Sequence, residues 1–339
     1  MKRTGFLLLL LLMLCSCREP QERMVAAGHY ARYFSLSDSL LVTYSPYDGH
    51  ADTLHLDRPM NRLVCMSSSY IGYLDALECD SAAVGVSGIA VITSPLLQER
   101  YARGAVYDVG YDAAPDYERI VDLQPDLLIT YAVSPTPSPF LARLQALGVP
   151  TLLVYEHLEH HPLARAEYLR LFGALTGRQA RADSLFGRIC RSYDSLCVHT
   201  ERPAQVLLNV PYADQWYIPG GDNYMTRLIR DAGGEVLGAR PGETRSRVIS
   251  REEALLLARQ ADVWLNPGWC DSRAALQATL PAFPRVPAVY NNTRRTTPGG
   301  GNDFWESGPV RPDLILQDLR RILSGDAQAD SLYYYIPLR

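Results

Sequence analysis

Apolar residues at Ala182, Leu185, Phe186, Ile189, Tyr193 and Leu196 recur at spacings of three and four, which lays one apolar stripe along a helix. The stripe belongs to the longest helix-compatible run of the chain, Leu163 to His199. Gly177 divides that run into a first helix and a second, longer one, as glycine does where a helix ends. The second rises roughly 30 Å over about 20 residues, enough to cross a small domain. On either side the period changes. Short apolar runs of strand length alternate with amphipathic helices, the order that produces parallel sheets covered by helices. The expected fold class is therefore α/β, in two lobes joined by one long helix.

The strand-like alternation from His29 to Leu56 has a hairpin signal at Asp48-Gly49 and predicts an antiparallel ribbon at the edge of the first lobe, with no chemistry assigned to it. Residues 18–57 are read as a tether followed by this ribbon. The first lobe, 58–175, carries buried-strand runs at Arg62–Met66, Ala83–Val86, Asp126–Tyr131 and Thr151–Tyr155. Residues 176–199 form the linker helix. The second lobe, 200–325, has strands at Gln205–Val210 and Asp262–Asn266, with Val286–Tyr290 as its last. Ser250-Arg251-Glu252-Glu253 is a capping box, and Pro312 opens a final helix. Residues 326–339 are expected to be a tail.

The first residues, MKRTGFLLLLLLMLCSCREP, pair a charged start with an apolar run too short to span a membrane. Leu14-Cys15-Ser16-Cys17 resembles the bacterial lipobox, and Cys17 fits it better than Cys15 because a small residue precedes it. Residues 1–17 are thus expected to be a lipoprotein signal peptide, with lipidated Cys17 anchoring an exported protein to a membrane. The net charge of −4 becomes −6 when Lys2 and Arg3 leave, an acidic balance that argues against nucleic acid as a partner. The remaining cysteines, Cys65, Cys79, Cys190, Cys197 and Cys270, show no CxxC spacing and are expected to be buried free thiols, with no zinc site. No cofactor is implied, and a monomer is expected.

The strand order, the segments YDAAPDYERIVDLQPDLLI (111–129) and PGGDNYMTRLIRDAGGEVL (219–237), and the capping box resemble substrate-binding proteins of bacterial ABC importers for iron–siderophore complexes, haem and cobalamin. The resemblance covers nearly all of residues 58–325. It implies two Rossmann-like lobes around a rigid helical joint, and a cleft that delivers its ligand to an ABC permease. It also implies one surface glutamate per lobe that pairs with permease arginines. Glu118 and Glu306 match those positions, and two carboxylates held apart on rigid lobes would select partner and orientation. Each also has a plain structural reading, Glu118 as a first-turn acid and Glu306 as a solvated loop charge.

Ligands are expected at the carboxyl ends of the strands. Tyr70, Tyr131, Tyr212, Trp216 and Trp269 fall on such loops and suit a large planar or macrocyclic ligand, although each taken singly is equally a core residue. Arg294 and Arg295 are candidates to grip carboxylates of a chelate, or to be a solvated pair. His157, His160 and His161 lie in the segment entering the linker, away from the expected cleft, and are not assigned a metal. With no His on a predicted cleft loop and few basic residues, an iron chelate and a corrinoid stand level, ahead of haem. A surface-exposed capture lipoprotein serving an outer-membrane transporter is an alternative. An exported α/β hydrolase is another, unsupported by any GxSxG or HExxH pattern.

Overall fold

The structure is a computed structural model that describes residues 29–136, 138–212 and 215–339. Cys17 and the expected signal peptide lie outside the described residues. β1 (Phe34–Leu36), β2 (Leu40–Tyr44) and β3 (Ala51–His55) pair antiparallel as the expected ribbon. Two buried acids hold its base to the first lobe. Glu159 accepts the backbone N–H of Arg32 and Tyr33, and Glu167 those of Tyr30 and Ala31.

The first lobe then runs β4 (Leu63–Cys65), α1 (Ser68–Ala76), β5 (Ala83–Val86), α2 (Pro95–Ala102) and β6 (Tyr107–Asp108). It continues through the small pair β7 (Gly110–Tyr111) and β8 (Ala114–Pro115), then α3 (Tyr117–Asp122), β9 (Leu127–Thr130), α4 (Pro139–Ala146) and β10 (Thr151–Leu153). Its sheet has the order β10–β9–β4–β5–β6 and is parallel throughout. Every residue of β4, β5 and β9 is buried, which is why these strands read as continuous apolar runs.

α5 (Pro162–Thr176) and α6 (Gln179–Leu196) follow, with Gly177 at φ 69° closing α5 in the left-handed conformation that glycine adopts without strain. The second lobe contains β11 (Ala204–Leu208), β12 (Trp216–Ile218), α7 (Tyr224–Asp231), β13 (Gly234–Val236), β14 (Arg247–Ile249), α8 (Arg251–Ala258), β15 (Val263–Leu265), α9 (Arg273–Thr279) and β16 (Ala288–Asn291). α10 (Asp303–Glu306), α11 (Pro312–Ser324) and β17 (Ile336–Pro337) complete it. The sheet order is β13–β11–β15–β16–β17, with only β17 antiparallel, and β12 pairs with β14 beside it. Setting β4, β5, β9 and β10 against β11, β13, β15 and β16 superimposes the two strand orders. The lobes repeat one plan.

The last residues are not a tail, and Val286–Tyr290 does not supply the last strand. β17 extends the sheet, Tyr334 and Tyr335 are fully buried, and the Asp318 carboxylate accepts the amides of Tyr333, Tyr334 and Tyr335. The five described cysteines are unbridged, but only Cys65 and Cys79 are buried and the other three are half-buried.

α6 is the crossing helix. Near its start Arg181 pairs with Glu78 of the first lobe at 2.6 Å, and near its end the Tyr193 hydroxyl donates to Asp231 of the second at 2.8 Å. Its 18 residues span roughly 27 Å. Ala182, Phe186, Ile189 and Tyr193 form the buried face, as the stripe predicted, while Leu185 and Leu196 stay half-buried. α5 lies beneath it, packed on α1, α7 and α11.

A second junction ties the lobes. The Glu306 carboxylate accepts the amides of Thr93 and Ser94 at 2.7 and 2.8 Å, at the start of α2. α10 rests on α1, where a Cβ at Gly72 would stand 2.2 Å from the Glu306 carbonyl oxygen, so only glycine permits the approach. Burial pushes the Glu306 carboxyl up to about 7 against the pull of the two amides, and neighbouring Asp75 up to about 6.

Two outcomes follow from these junctions. Phe186→Ala should destabilise the protein by about 3–5 kcal/mol, measured by denaturant unfolding, because it opens a cavity between α6 and the core. A loss below about 1 kcal/mol would mean that the α6 face is not a packed joint. Glu306 binds its proton more tightly when folded, so its contribution is complete below its ordinary 4.5 and is lost as pH rises through about 7. The unfolding free energy of the wild type relative to Glu306→Gln should therefore fall across that window, and a gap that widens with pH would contradict the assignment.

Candidate ligand cleft

In a parallel sheet the chain leaves a crevice where the strand order reverses, at the carboxyl ends of the strands. In the first lobe the reversal falls between β4 and β9, in the second between β11 and β15. The loops after these four strands define the cleft walls, and the candidate residues sort by whether they point out of them or into the core.

Trp269, after β15, is 92% exposed, and Tyr212, after β11, is 77% exposed. Both loops leave their strands through an asparagine in the left-handed conformation, Asn209 at φ 66° and Asn266 at φ 57°, which asparagine tolerates better than other side chains. The turn geometry is fixed from inside, because the Trp264 indole N–H donates to the Asn209 carbonyl at 2.7 Å and the Asn209 side chain donates to the Tyr217 carbonyl. Tyr131, after β9, is half-buried, with its ring edge-on to His157 at 5.7 Å.

Other candidates belong to the core. Tyr70 is 1% exposed, donates to the Thr130 carbonyl and packs on Phe172. Trp216 is fully buried, stacked on Phe283 at 5.3 Å, with its N–H donating to the Leu208 carbonyl at 2.9 Å. Neither is available to a ligand in this conformation. α1 begins immediately after β4 and turns Tyr70 inward, and β12 pairs with β14 and turns Trp216 under the sheet.

The two arginines are occupied. Arg294 donates to the Ala329 carbonyl at 2.6 Å and so holds the C-terminal segment. Arg295 pairs with Asp303 and lies over the Tyr333 ring at 4.6 Å, with its side chain half exposed. Glu306 is 2% exposed and spent on the lobe junction, so it is not a surface docking residue. Glu118 is exposed in the first turn of α3.

His157 was placed away from the cleft by the sequence, yet it follows β10 and stands beside Tyr131. Its Nε2 donates to the Ala132 carbonyl at 3.2 Å, which leaves Nδ1 as the acceptor, and burial lowers its pKa so that the ring is neutral at pH 7. The strand run Thr151–Tyr155 ends just before it, so the loop-after-strand rule applied there would have found it. His161 instead caps α5 by accepting the Leu163 amide. Among the described residues no three His, Cys, Asp or Glu side chains gather as a metal site.

Sequence reasoning also missed a buried polar chain at the base of the first wall. Ser67 and Ser69 hydroxyls lie 2.9 Å apart, Ser69 donates to Glu156 at 2.8 Å, and Arg165 donates to Glu156 at 2.8 Å. The Arg165 guanidinium sits 4.6 Å from the ring centroid of Tyr224, which comes from α7 of the other lobe. Burial works against the Arg165 charge, but Glu156 beside it holds its pKa above the ordinary value. Two concavities of the second lobe, about 400 and 670 Å³, lie elsewhere, along the outer edge of β13 and beside α9.

Comparison with known proteins agrees with this arrangement. An uncharacterized lipoprotein of Methanocaldococcus jannaschii is 25% identical over 278 residues, 79% of this chain. The matched part is 66% of that relative's length, just under two thirds. The crystal structure of a periplasmic binding protein from Veillonella parvula superimposes with a TM-score of 0.63 at 15% identity, covering 85% of this chain and 99% of that one. A periplasmic heme binding protein from Pseudomonas aeruginosa gives 0.60 at 18% identity, covering 83% and 98%. The periplasmic vitamin B12 binding protein of Vibrio cholerae gives 0.54 at 16%, covering 79% and 98%. The periplasmic binding protein family itself matches residues 63–299, and with that span on a two-lobed α/β fold the chain belongs to the periplasmic binding protein family.

Proposed function

We propose that this protein captures a large planar metal macrocycle, a haem or a corrinoid, between its lobes and delivers it to an ABC permease. The observation that carries the reading is the pair of solvent-facing aromatics, Trp269 and Tyr212, on adjacent loops at the second lobe's switch point, with Tyr131 and His157 at the carboxyl end of the first lobe's sheet. A ring that large gains from stacking and apolar burial. An anionic siderophore is disfavoured, because Arg295 is already ion-paired with Asp303 and Arg294 is turned to the Ala329 carbonyl of the C-terminal segment. His157 supplies the imidazole that the sequence did not place, which brings haem level with the corrinoid. Export as a lipoprotein through Cys17 is part of this reading, and the lipoprotein relative supports it.

The repeated plan of the lobes replaces Glu306 as the second docking acid. α3 leads into β9 and α8 into the equivalent β15. Each helix has a capping side chain, Asp116 or Ser250, and carries an exposed glutamate at its second residue, Glu118 or Glu252. Two matched carboxylates on two rigid lobes form the two-point key that a permease would read.

Titration with haemin, cyanocobalamin and a ferric siderophore, followed by tryptophan fluorescence, tests the ligand. One of the first two should quench Trp269 strongly, and Trp269→Ala should weaken its binding by about 1–3 kcal/mol. Binding of the siderophore alone, or of nothing below about 10 μM, would overturn the assignment. For docking, Glu118→Arg with Glu252→Arg should abolish permease-dependent uptake while leaving ligand affinity unchanged. Undiminished uptake by the double variant would remove the two acids from the interface and favour capture for an outer-membrane transporter.

A further inference from the structure

The ribbon lies outside the span matched by the family, 63–299, and its hairpin reaches the cleft. The turn between β2 and β3 is tightly closed. The Ser45 amide donates to the His50 carbonyl at 2.8 Å, Gly49 to Ser45 at 3.0 Å, and the His50 amide to the Asp48 carboxylate at 3.1 Å. From this turn the Tyr47 hydroxyl donates to the Ala132 carbonyl at 3.2 Å, and its ring packs edge-on against Tyr155 at 6.4 Å.

The Ala132 carbonyl is the same one that accepts His157 Nε2–H. A carbonyl oxygen has two lone pairs, and here both are taken, one from within the lobe and one from the ribbon. The Ala132–Val133 peptide is thereby held from two directions. Val133, 75% exposed, follows that peptide and Tyr131 lies one residue before it, so its orientation bears on where both side chains stand. The ribbon can act as a fixed arm because its base is anchored independently, through Glu159, Glu167 and the buried Phe34 and Leu41.

We propose that the β2–β3 hairpin is a lip of the ligand cleft, with Tyr47 a positioning residue that fixes the Tyr131–Val133 wall. The inference rests on the reading of that cleft as the ligand site. Tyr47 needs no contact with the ligand to act, since its hydroxyl works through the Ala132 carbonyl. Loss of the hydroxyl leaves His157 as the sole tether and lets the peptide turn.

Tyr47→Phe removes the hydroxyl and keeps the ring against Tyr155. The Ala132 carbonyl 13C and Val133 amide 15N chemical shifts should move clear of their wild-type positions while the shifts of residues 34–44 and the thermal midpoint stay at wild-type values. The dissociation constant for haemin or cyanocobalamin, whichever the wild type takes, should rise by about three- to tenfold, the scale of one lost hydrogen bond. Unmoved shifts at Ala132 and Val133 overturn the proposal, and so do moved shifts with unaltered affinity. Wild-type protein that takes neither probe overturns the ligand assignment instead, and the shift comparison then decides by itself whether Tyr47 holds the wall.

Discussion

Main-chain amides drawn into the interior must find acceptors, and in this protein buried carboxylates supply them at three joins between segments. Glu159 and Glu167 tie the ribbon to the first lobe, Glu306 ties the second lobe's α10 to the start of α2, and Asp318 ties the C-terminal strand to α11. Each bond is directional, so it fixes geometry where apolar contact alone would allow sliding. Desolvation opposes the charge, and burial lifts Glu159 and Glu306 to about 7. Burial pushes Glu167 upward as well, but the His29 ring and the two amides bring it below its ordinary value. The lobes thus meet at two places, the α5–α6 pair and the Glu306 junction.

Those joins decide what the cleft can be. With both lobes held by packed helices and buried hydrogen bonds, the loops at the strands' carboxyl ends are the parts left to meet a ligand. They carry aromatic rings in the open, Trp269 and Tyr212 on one wall and Tyr131 beside His157 on the other. Aromatic side chains in water expose apolar area at a free-energy cost of roughly 25 cal/mol per Å², which a flat ligand recovers by covering them. Two cations near the cleft are already paired, Arg165 with Glu156 and Arg295 with Asp303. On the proposed reading, the cleft would select by shape and stacking more than by charge.

The aromatics show where reading residues one at a time stops working. Trp216 and Trp269 both follow a strand, in stretches that the sequence reads as loops rich in turn-forming residues. One is fully buried against Phe283 and the other is 92% exposed. Nothing in their immediate neighbours separates them. β12 is drawn under the sheet by pairing with β14, whose residues lie about thirty positions further on. Glu306 failed for the same reason: its partners, Thr93 and Ser94, are more than two hundred residues away. The exposure of Glu118 could be read because it lies off the helix face that buries Ile120, a split that periodicity makes legible.

Periodicity and capping, which act over a few residues, determined the elements. They located β4, β5, β9, β10, β11, β15 and β16 within a few residues but not the short β12, β13, β14 and β17, and they found the stripe of α6 through Ala182, Phe186, Ile189 and Tyr193, the stop at Gly177 and the Ser250 cap that accepts the Glu253 amide. Their order along the chain determined the α/β class and the two lobes joined by a helix, because alternating strands and helices admit few other solutions. The tertiary structure alone decided which aromatic faces water, that the last residues join a sheet, that the ribbon's hairpin bonds to the loop after β9 and that Glu306 is buried. Each of those outcomes depends on a partner far away in sequence, and hydrogen bonding and burial are properties of the pair rather than of either residue.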